Sequence, residues 1–464
     1  MEEFDVIVIG GGSAGENIAG RCGESGASVA VVESALVGGE CSYWACIPSK
    51  ALLRPGEVLA EVRRVPGAAE AVTGSIDAGV ALAHRNEIVG DWDDDGQVQW
   101  LARAGATLVR GHGRLVGERR VDVTVEDGTR RELVARRAVV IATGSRPEMP
   151  PIDGLHRVRV WQSHDATSAQ EVPGRLVVLG GGVVGCELAQ AWKRLGAREV
   201  TVIEAGDRLV EDLEPFAAEQ LRTAFDREGI RVILGVNAVR VEREADNSPV
   251  TVTLEDGRAV TGDELLVAVG RHPNTDDLGV ETVGLEPGEP IEVDDQLRAS
   301  DVPGGWLFAV GDVNGRALLT HMGKYQARVA GDVILHGSSI EAWADHRVVP
   351  SVVFTDPQLA TVGLTEQQAR ARGVDVRVVG YATGDVSGAA VHGVGLSGRS
   401  QLVIDDARDV VVGATFTGPG VGELLHAATI AIAGEVPLDV LWHAVPSFPT
   451  ISEVWLRLLE QYGL

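Results

Sequence analysis

Two cysteines stand close together in the run Gly38-Gly39-Glu40-Cys41-Ser42-Tyr43-Trp44-Ala45-Cys46-Ile47-Pro48-Ser49-Lys50, in a chain of 464 residues with only four cysteines. A close thiol pair can bind a metal, pack as two inert buried thiols, or exchange electrons as a disulfide. Zinc usually takes four ligands, with the cysteines in closer pairs. No second pair exists here, so no metal site is expected. On a regular helix the two Cα atoms would lie roughly 7.5 Å apart along the axis alone, whereas a disulfide needs about 4.4–6.8 Å. Bonding therefore demands a distorted segment, which Gly38-Gly39 permits. Beyond it a helix is expected through Lys50, Leu52 and Leu53 to Val62, interrupted near Pro55-Gly56. Cys22 and Cys186 fall inside other patterned segments and read as structural.

Those segments are two copies of one pattern. The first is Asp5-Val6-Ile7-Val8-Ile9-Gly10-Gly11-Gly12-Ser13-Ala14-Gly15, a β-branched strand entering G-x-G-x-x-G and then a helical stretch. Its second strand, Ser28 to Val32, ends at Glu33, about 20 residues on, where a ribose-binding acid belongs. The second copy is Arg175-Leu176-Val177-Val178-Leu179-Gly180-Gly181-Gly182-Val183-Val184-Gly185, with Glu204 closing its second strand. Glycines let the backbone approach a pyrophosphate, and the helix N-terminus offers free N–H groups and a positive dipole. One such turn is weak evidence. Two, each between strand and helix and each with its acid, point to two dinucleotides.

Size and composition set the frame. A chain of 464 residues exceeds one ordinary core, so two to four domains are expected. Hydrophobic residues at 45% and charged residues at 23% fit a soluble globular protein. A net charge of −26 argues against nucleic acid or an anionic membrane surface as the main partner. The acidic start, Met1-Glu2-Glu3-Phe4-Asp5, does not read as a signal peptide, and a cytoplasmic location is expected. There thiols are normally kept reduced, which favours a catalytic pair over a structural staple.

In order along the chain, these motifs resemble the class I pyridine nucleotide-disulfide oxidoreductases, the flavoprotein disulfide reductases that include dihydrolipoamide dehydrogenase and mercuric reductase. The resemblance covers nearly the whole chain. It implies an α/β fold with two Rossmann-like domains and an α+β dimerisation domain. The implied boundaries are 1–150 for FAD, 151–275 for NAD(P)H, 276–344 for a central domain completing the FAD site, and 345–464 for the dimer interface. FAD would meet Gly10, Gly12, Ser13, Ala14, Gly15, Glu33, Gly39 and Lys50. The crossover turn Ala142-Thr143-Gly144 and the later Gly311-Asp312 would complete that site, with Asp312 on the ribityl chain. Gly180, Gly182, Val184, Gly185, Glu204 and the exit turn at Gly270 would hold NADH. Glu204 favours the 2′-hydroxyl of NADH over the 2′-phosphate of NADPH, and NADPH stays possible because Arg208 lies close by.

The resemblance also implies roles. Cys46 would sit against the flavin as a thiolate, Cys41 would attack substrate, and Lys50 would pair with Glu187 beside the reacting rings. In this family a histidine from the partner subunit of the homodimer acts as base, with a glutamate orienting it. The matching segment here is Pro446-Ser447-Phe448-Pro449-Thr450-Ile451-Ser452-Glu453, with Phe448 at the histidine position. Phenylalanine moves no proton. His443, or Glu453 acting directly, are the substitutes in the sequence. The expected activity is electron transfer from NADH through FAD and a Cys41–Cys46 disulfide to a small disulfide or dithiol. One alternative is a diaphorase reducing quinones directly from flavin. Another follows Phe448, since 2-ketopropyl-coenzyme M oxidoreductase/carboxylase is similar in placing Phe there. That branch has His where this chain has Glu453, and carboxylation is not inferred.

Overall fold

The computed structural model describes residues 1–464, which divide into two units. The first comprises 1–48, 86–148 and 270–345. Its sheet runs Ala106–Arg110, Val29–Glu33, Glu2–Ile9, Arg130–Ile141, all parallel. Val6, Ile7 and Val8 are fully buried, as expected of a parallel strand covered on both faces. The long strand Arg130–Ile141 takes two partners on its other edge. Its first half pairs antiparallel with Arg120–Thr124, and its second half pairs parallel with Leu307–Ala309. That second pairing carries the chain directly to Gly311-Asp312, at the sheet edge where Ala142-Thr143-Gly144 also emerges. Helices Ser13–Glu24 and Thr320–His336 pack together on this sheet. A Cβ at Gly323 would stand 3.4 Å from the Ala14 Cβ and 3.2 Å from the Gly311 Cα, so a small residue there sets how close they come.

The second unit comprises 49–85, 149–269 and 346–464. It contains a second parallel sheet in the order Ile230–Ile233, Glu199–Ile203, Arg175–Leu179, Glu264–Val267. An antiparallel meander, Ala238–Arg243, Val250–Leu254 and Ala259–Gly262, accompanies it. Residues 351–418 build a five-stranded antiparallel sheet covered by helices Val421–Ala433 and Val454–Tyr462. The helix from Cys46 runs unbroken to Arg63 with Pro55 inside it, whereas an interruption was expected there. Burial outweighs the proline: Leu52 and Leu53 are 1% and 5% exposed in the core around Trp192 and Phe225. Gly56 adds room, since a Cβ there would meet the Arg194 side chain at 2.6 Å. Residues 66–77 form a loop, followed by helices Ala78–Ile88 and Asp95–Arg103.

Both dinucleotide turns depend on the same crowding. Gly10 and Gly180 each have φ of +103°. A Cβ at Gly10 would lie 2.3 Å from the Ala142 carbonyl oxygen, and one at Gly180 2.2 Å from that of Ala268. Gly26 also has positive φ but meets nothing within 4 Å. Gly10→Ala is therefore expected to cost about 1–3 kcal/mol more than Gly26→Ala, read as the difference in urea unfolding midpoints. Equal costs would mean that backbone conformation alone, and not the close approach, selects glycine.

Candidate active site

Cys41 and Cys46 sit where two helices are interrupted. A short helix, Gly39–Tyr43, ends at Trp44 with φ of −137°, and a new helix begins at Cys46. This break supplies the distortion that the spacing demands. Tyr43 anchors it, 2% exposed, with its hydroxyl on the Asp93 carbonyl and its own carbonyl accepting from the Trp92 indole. The Gly38 N–H donates to the Gly11 carbonyl at 2.8 Å, so the cysteine segment starts on the first dinucleotide turn. None of the four cysteines is joined in a disulfide. The Cys46 Sγ lies 3.3 Å from the Thr320 Oγ1.

Cys41 ionises far below an ordinary thiol, at about 6, because the Cys46 thiol hydrogen-bonds its sulfur. Burial opposes this, and the Thr320 and Ser13 hydroxyls and the Lys324 charge reinforce it. The thiolate is the nucleophile in disulfide exchange, and Cys41 is the sulfur expected to attack substrate. Burial acts the other way on Cys22, pushing it up to about 12, and raises Cys186 as well. These two are packing residues, as expected.

The two acids close their turns identically. The Glu33 carboxylate accepts from the N–H groups of Gly11 at 2.6 Å and Ala35 at 2.7 Å. Glu204 accepts from Gly181 at 2.5 Å and Gly206 at 2.6 Å. Helices Ser13–Glu24 and Val183–Leu195 begin at Gly12 and Gly182 with no side-chain cap. Their first-turn amides remain for an anion. Gly182 meets nothing within 4 Å on its Cβ side, and Val184 is 38% exposed beside it. Uncapped amides, an open glycine face and an adjacent carboxylate fit a dinucleotide at each turn. Arg208, considered as a phosphate partner, donates to the Glu211 carbonyl.

Around the first turn, Thr143 and Asn274 exchange hydrogen bonds at 2.9 Å, joining the Ala142-Thr143-Gly144 turn to the one that follows Gly270. Asp312 accepts from the Ser145 hydroxyl at 2.6 Å. Arg271 ties this group together by reaching Ser145 and the Glu40 carboxylate. Arg271 was missed in the sequence. A charged residue directly after a glycine turn was the available signal. Glu16 and Lys324, beside Cys41, were likewise missed.

In the second unit Lys50 and Glu187 form the expected ion pair at 2.6 Å. Glu187 also accepts from the Phe354 N–H at 2.9 Å, and Lys50 lies 4.9 Å from the Phe354 ring centroid. Phe448 is 74% exposed, and His443 is exposed as well. Glu453 is buried, with one oxygen on Arg457 at 2.7 Å and the other on the Ser387 N–H at 3.2 Å. The structure thus holds Glu453 as an anchor for its own helix. It does not bring Glu453 to His443 through any hydrogen bond.

Comparison with known proteins agrees with this geometry. Residues 4–330 match the family model described as pyridine nucleotide-disulphide oxidoreductase, and residues 349–458 match the dimerisation domain of the same family. Dihydrolipoyl dehydrogenase 3 of Pseudomonas aeruginosa is 35% identical over 98% of this chain and 96% of its own. A mercuric reductase of Staphylococcus aureus is 29% identical over 97% of this chain and 81% of its own. The crystal structure of LpdA from Mycobacterium tuberculosis superposes with a TM-score of 0.86 at 25% identity, covering 100% of both chains.

The lowered ionisation of Cys41 gives a direct expectation. Alkylation of the reduced protein by iodoacetamide should rise with a midpoint near pH 6, where the thiolate forms, instead of the ordinary range of about 8.5. Thr320→Val removes a hydroxyl donor to the thiolate and moves the midpoint upward. Mass spectrometry of the Cys41 peptide across pH checks both. A wild-type midpoint near 8.5 would sink this account of the thiol pair.

Proposed function

The chain belongs to the pyridine nucleotide-disulphide oxidoreductases, and we propose that it passes electrons from NADH through FAD to the Cys41–Cys46 pair and on to a small disulfide. It is an oxidoreductase that uses FAD and NAD(P)H and forms a homodimer. No helix is long and apolar enough to cross a membrane. Bound FAD supplies the relay that splits hydride transfer from thiol chemistry. One observation supports the choice of a disulfide substrate: the Cys46 thiol beside Cys41 on the first dinucleotide turn depresses the Cys41 ionisation. A diaphorase reducing quinones from the flavin would need no such pair.

The other assignments follow from the same reading. Residues 1–150 and 276–344 bind FAD through Gly10, Gly12, Ser13, Ala14, Gly15, Glu33, Gly39, Thr143 and Asp312. Residues 151–275 bind NADH, and 345–464 form the dimer interface. Lys50 stabilises negative charge on the reduced ring system, an electrostatic role, and Glu187 holds it in place. NADH is favoured over NADPH because Glu204 repels a 2′-phosphate, while Arg208 is engaged with Glu211. A reactive thiol pair suits the reducing cytoplasm.

The deciding experiment is an anaerobic NADH titration. Wild-type protein should consume about two equivalents per FAD, because the disulfide is itself a two-electron couple. Cys41→Ser and Cys46→Ser should consume about one and lose lipoamide reduction by more than about 10³-fold, while quinone reduction persists. One equivalent in the wild type would hand the lead to the diaphorase reading. A further expectation concerns cofactor choice. Glu204→Ala should cut the NADH to NADPH ratio of kcat/KM by about 10-fold or more, through loss of the ribose acceptor. An unchanged ratio would remove Glu204 from that role.

A further inference from the structure

A helix of five residues does not hold itself together in water, because nucleation costs more than so few hydrogen bonds give back. Cys41 lies on such a helix, Gly39–Tyr43. Its position therefore depends on what ties that helix to the rest of the unit. Gly38 ties its start to the first dinucleotide turn, and Tyr43 ties its end to Asp93 and Trp92. Between them stands Glu40, directly before Cys41, and its side-chain partner is Arg271. We propose that Arg271 is a positioning residue: through Glu40 it holds the cysteine helix where Cys41 and Cys46 can close into a disulfide. This rests on the disulfide-reductase reading above.

Glu40 reaches in two directions. Its carboxylate accepts from the Arg271 Nη2 at 2.5 Å. Its backbone carbonyl accepts from the Trp44 and Ala45 N–H groups at 2.8 and 2.6 Å. Those two bonds close the break between the short helix and the one that begins at Cys46. Fixing Glu40 therefore fixes the turn that sets one sulfur against the other. A first-turn acid is ordinarily a solvated partner of the helix dipole. An exposed ion pair is ordinarily worth little, because two long side chains must be ordered to form it. Arg271 is ordered already. Its Nε donates to the Ser145 hydroxyl at 2.6 Å, and its Nη2 to the Ser145 carbonyl at 2.7 Å. Ser145 is 5% exposed and donates to Asp312 at 2.6 Å. Both residues belong to a two-stranded ribbon, Ser145–Pro147 paired with Arg271–Pro273. A planar guanidinium with fixed donors can serve Ser145 and Glu40 at once, which an ammonium on a flexible stem does less well. Every residue of this path lies in the first unit.

The consequence falls on the thiol pair as a couple. When Cys41 and Cys46 close on an external disulfide, they lose two electrons and two protons and one S–S bond forms between them. The external S–S bond breaks, and its two sulfurs end as thiols. The equilibrium of that exchange depends on the effective concentration of one cysteine thiol at the other. A helix held at Glu40 keeps Cys41 beside Cys46, whose thiol hydrogen-bonds the Cys41 sulfur. A helix released at Glu40 lets Cys41 sample positions out of reach, and the disulfide loses stability relative to the dithiol. The path from Arg271 to Cys41 runs through Glu40, so removing either end of the pair removes the same restraint.

The test equilibrates the FAD-loaded dimer with mixtures of oxidised and reduced dithiothreitol, without NADH or substrate. Alkylation and mass spectrometry count the fraction of Cys41–Cys46 in the disulfide. Glu40→Ala and Arg271→Met should each move the equilibrium constant toward the dithiol by about 10-fold, and the double variant by about 10-fold instead of about 100-fold. Glu40→Gln keeps an acceptor for Arg271 and should fall between wild type and Glu40→Ala. An unmoved constant in Glu40→Ala, or a double variant equal to the product of the two singles, would overturn the proposal. A shift in Arg271→Met alone would assign Arg271 to Ser145 and Asp312, and would overturn it too. The functional reading is decided separately. If the wild type reduces no small disulfide such as lipoamide, that reading fails, while the dithiothreitol equilibrium still decides the role of Arg271.

Discussion

The contact on which the first unit depends is between two glycine pairs. Gly38 donates to the Gly11 carbonyl, and a Cβ at Gly39 would stand 2.8 Å from the Gly12 Cα. Backbones can meet this closely only where neither carries a side chain. The contact places the start of the cysteine segment on the dinucleotide turn, within reach of the helix that begins at Ser13. The hydroxyls of Ser13 and Thr320 can then both reach the Cys41 sulfur. Moving the segment outward by the width of a methyl group would take the thiols away from the donors that lower their ionisation. The redox chemistry of this chain is therefore set by backbone packing before any cofactor is considered.

The electrostatics of the molecule follow a second rule, in which the carboxylates at both dinucleotide turns and in the second unit are each given definite donors. Glu33 and Glu204 are held by backbone N–H groups, Glu187 by Lys50 and the Phe354 N–H, and Glu453 by Arg457 and the Ser387 N–H. Donors of this kind offset the cost of taking a carboxylate out of water. Glu16 differs, because burial outweighs its one cationic neighbour, Lys324, which it shares with a thiolate.

Much of the fold was legible because its physics is local in sequence. A β-branched strand, a glycine turn and a helix leave a periodic trace, and two copies with acids at matched spacing gave both parallel sheets. The cysteine spacing announced a distorted segment, and the break at Trp44 supplies it. What was not legible depends on contacts between distant segments. The helix across Pro55 persists because Leu52 and Leu53 are buried against Trp192 and Phe225, far along the chain. Arg271 gains its place only when its turn meets Ser145 and Glu40. Glu16 looks like any first-turn acid until Thr320–His336 packs beside it and brings Lys324. Glu453 matched a family position by spacing, yet its hydrogen bonds tie it to its own helix and to Ser387.

Phe448 is best understood through what surrounds it. Ile430, Val440, Val445 and Phe448 are 57%, 54%, 84% and 74% exposed within the segment matched as a dimerisation domain. Exposed apolar side chains of this size invite cover by another surface, and this chain forms a homodimer. In that setting a phenylalanine contributes burial, where an imidazole would contribute a proton. A base supplied by a partner subunit makes thiol chemistry depend on assembly at every turnover.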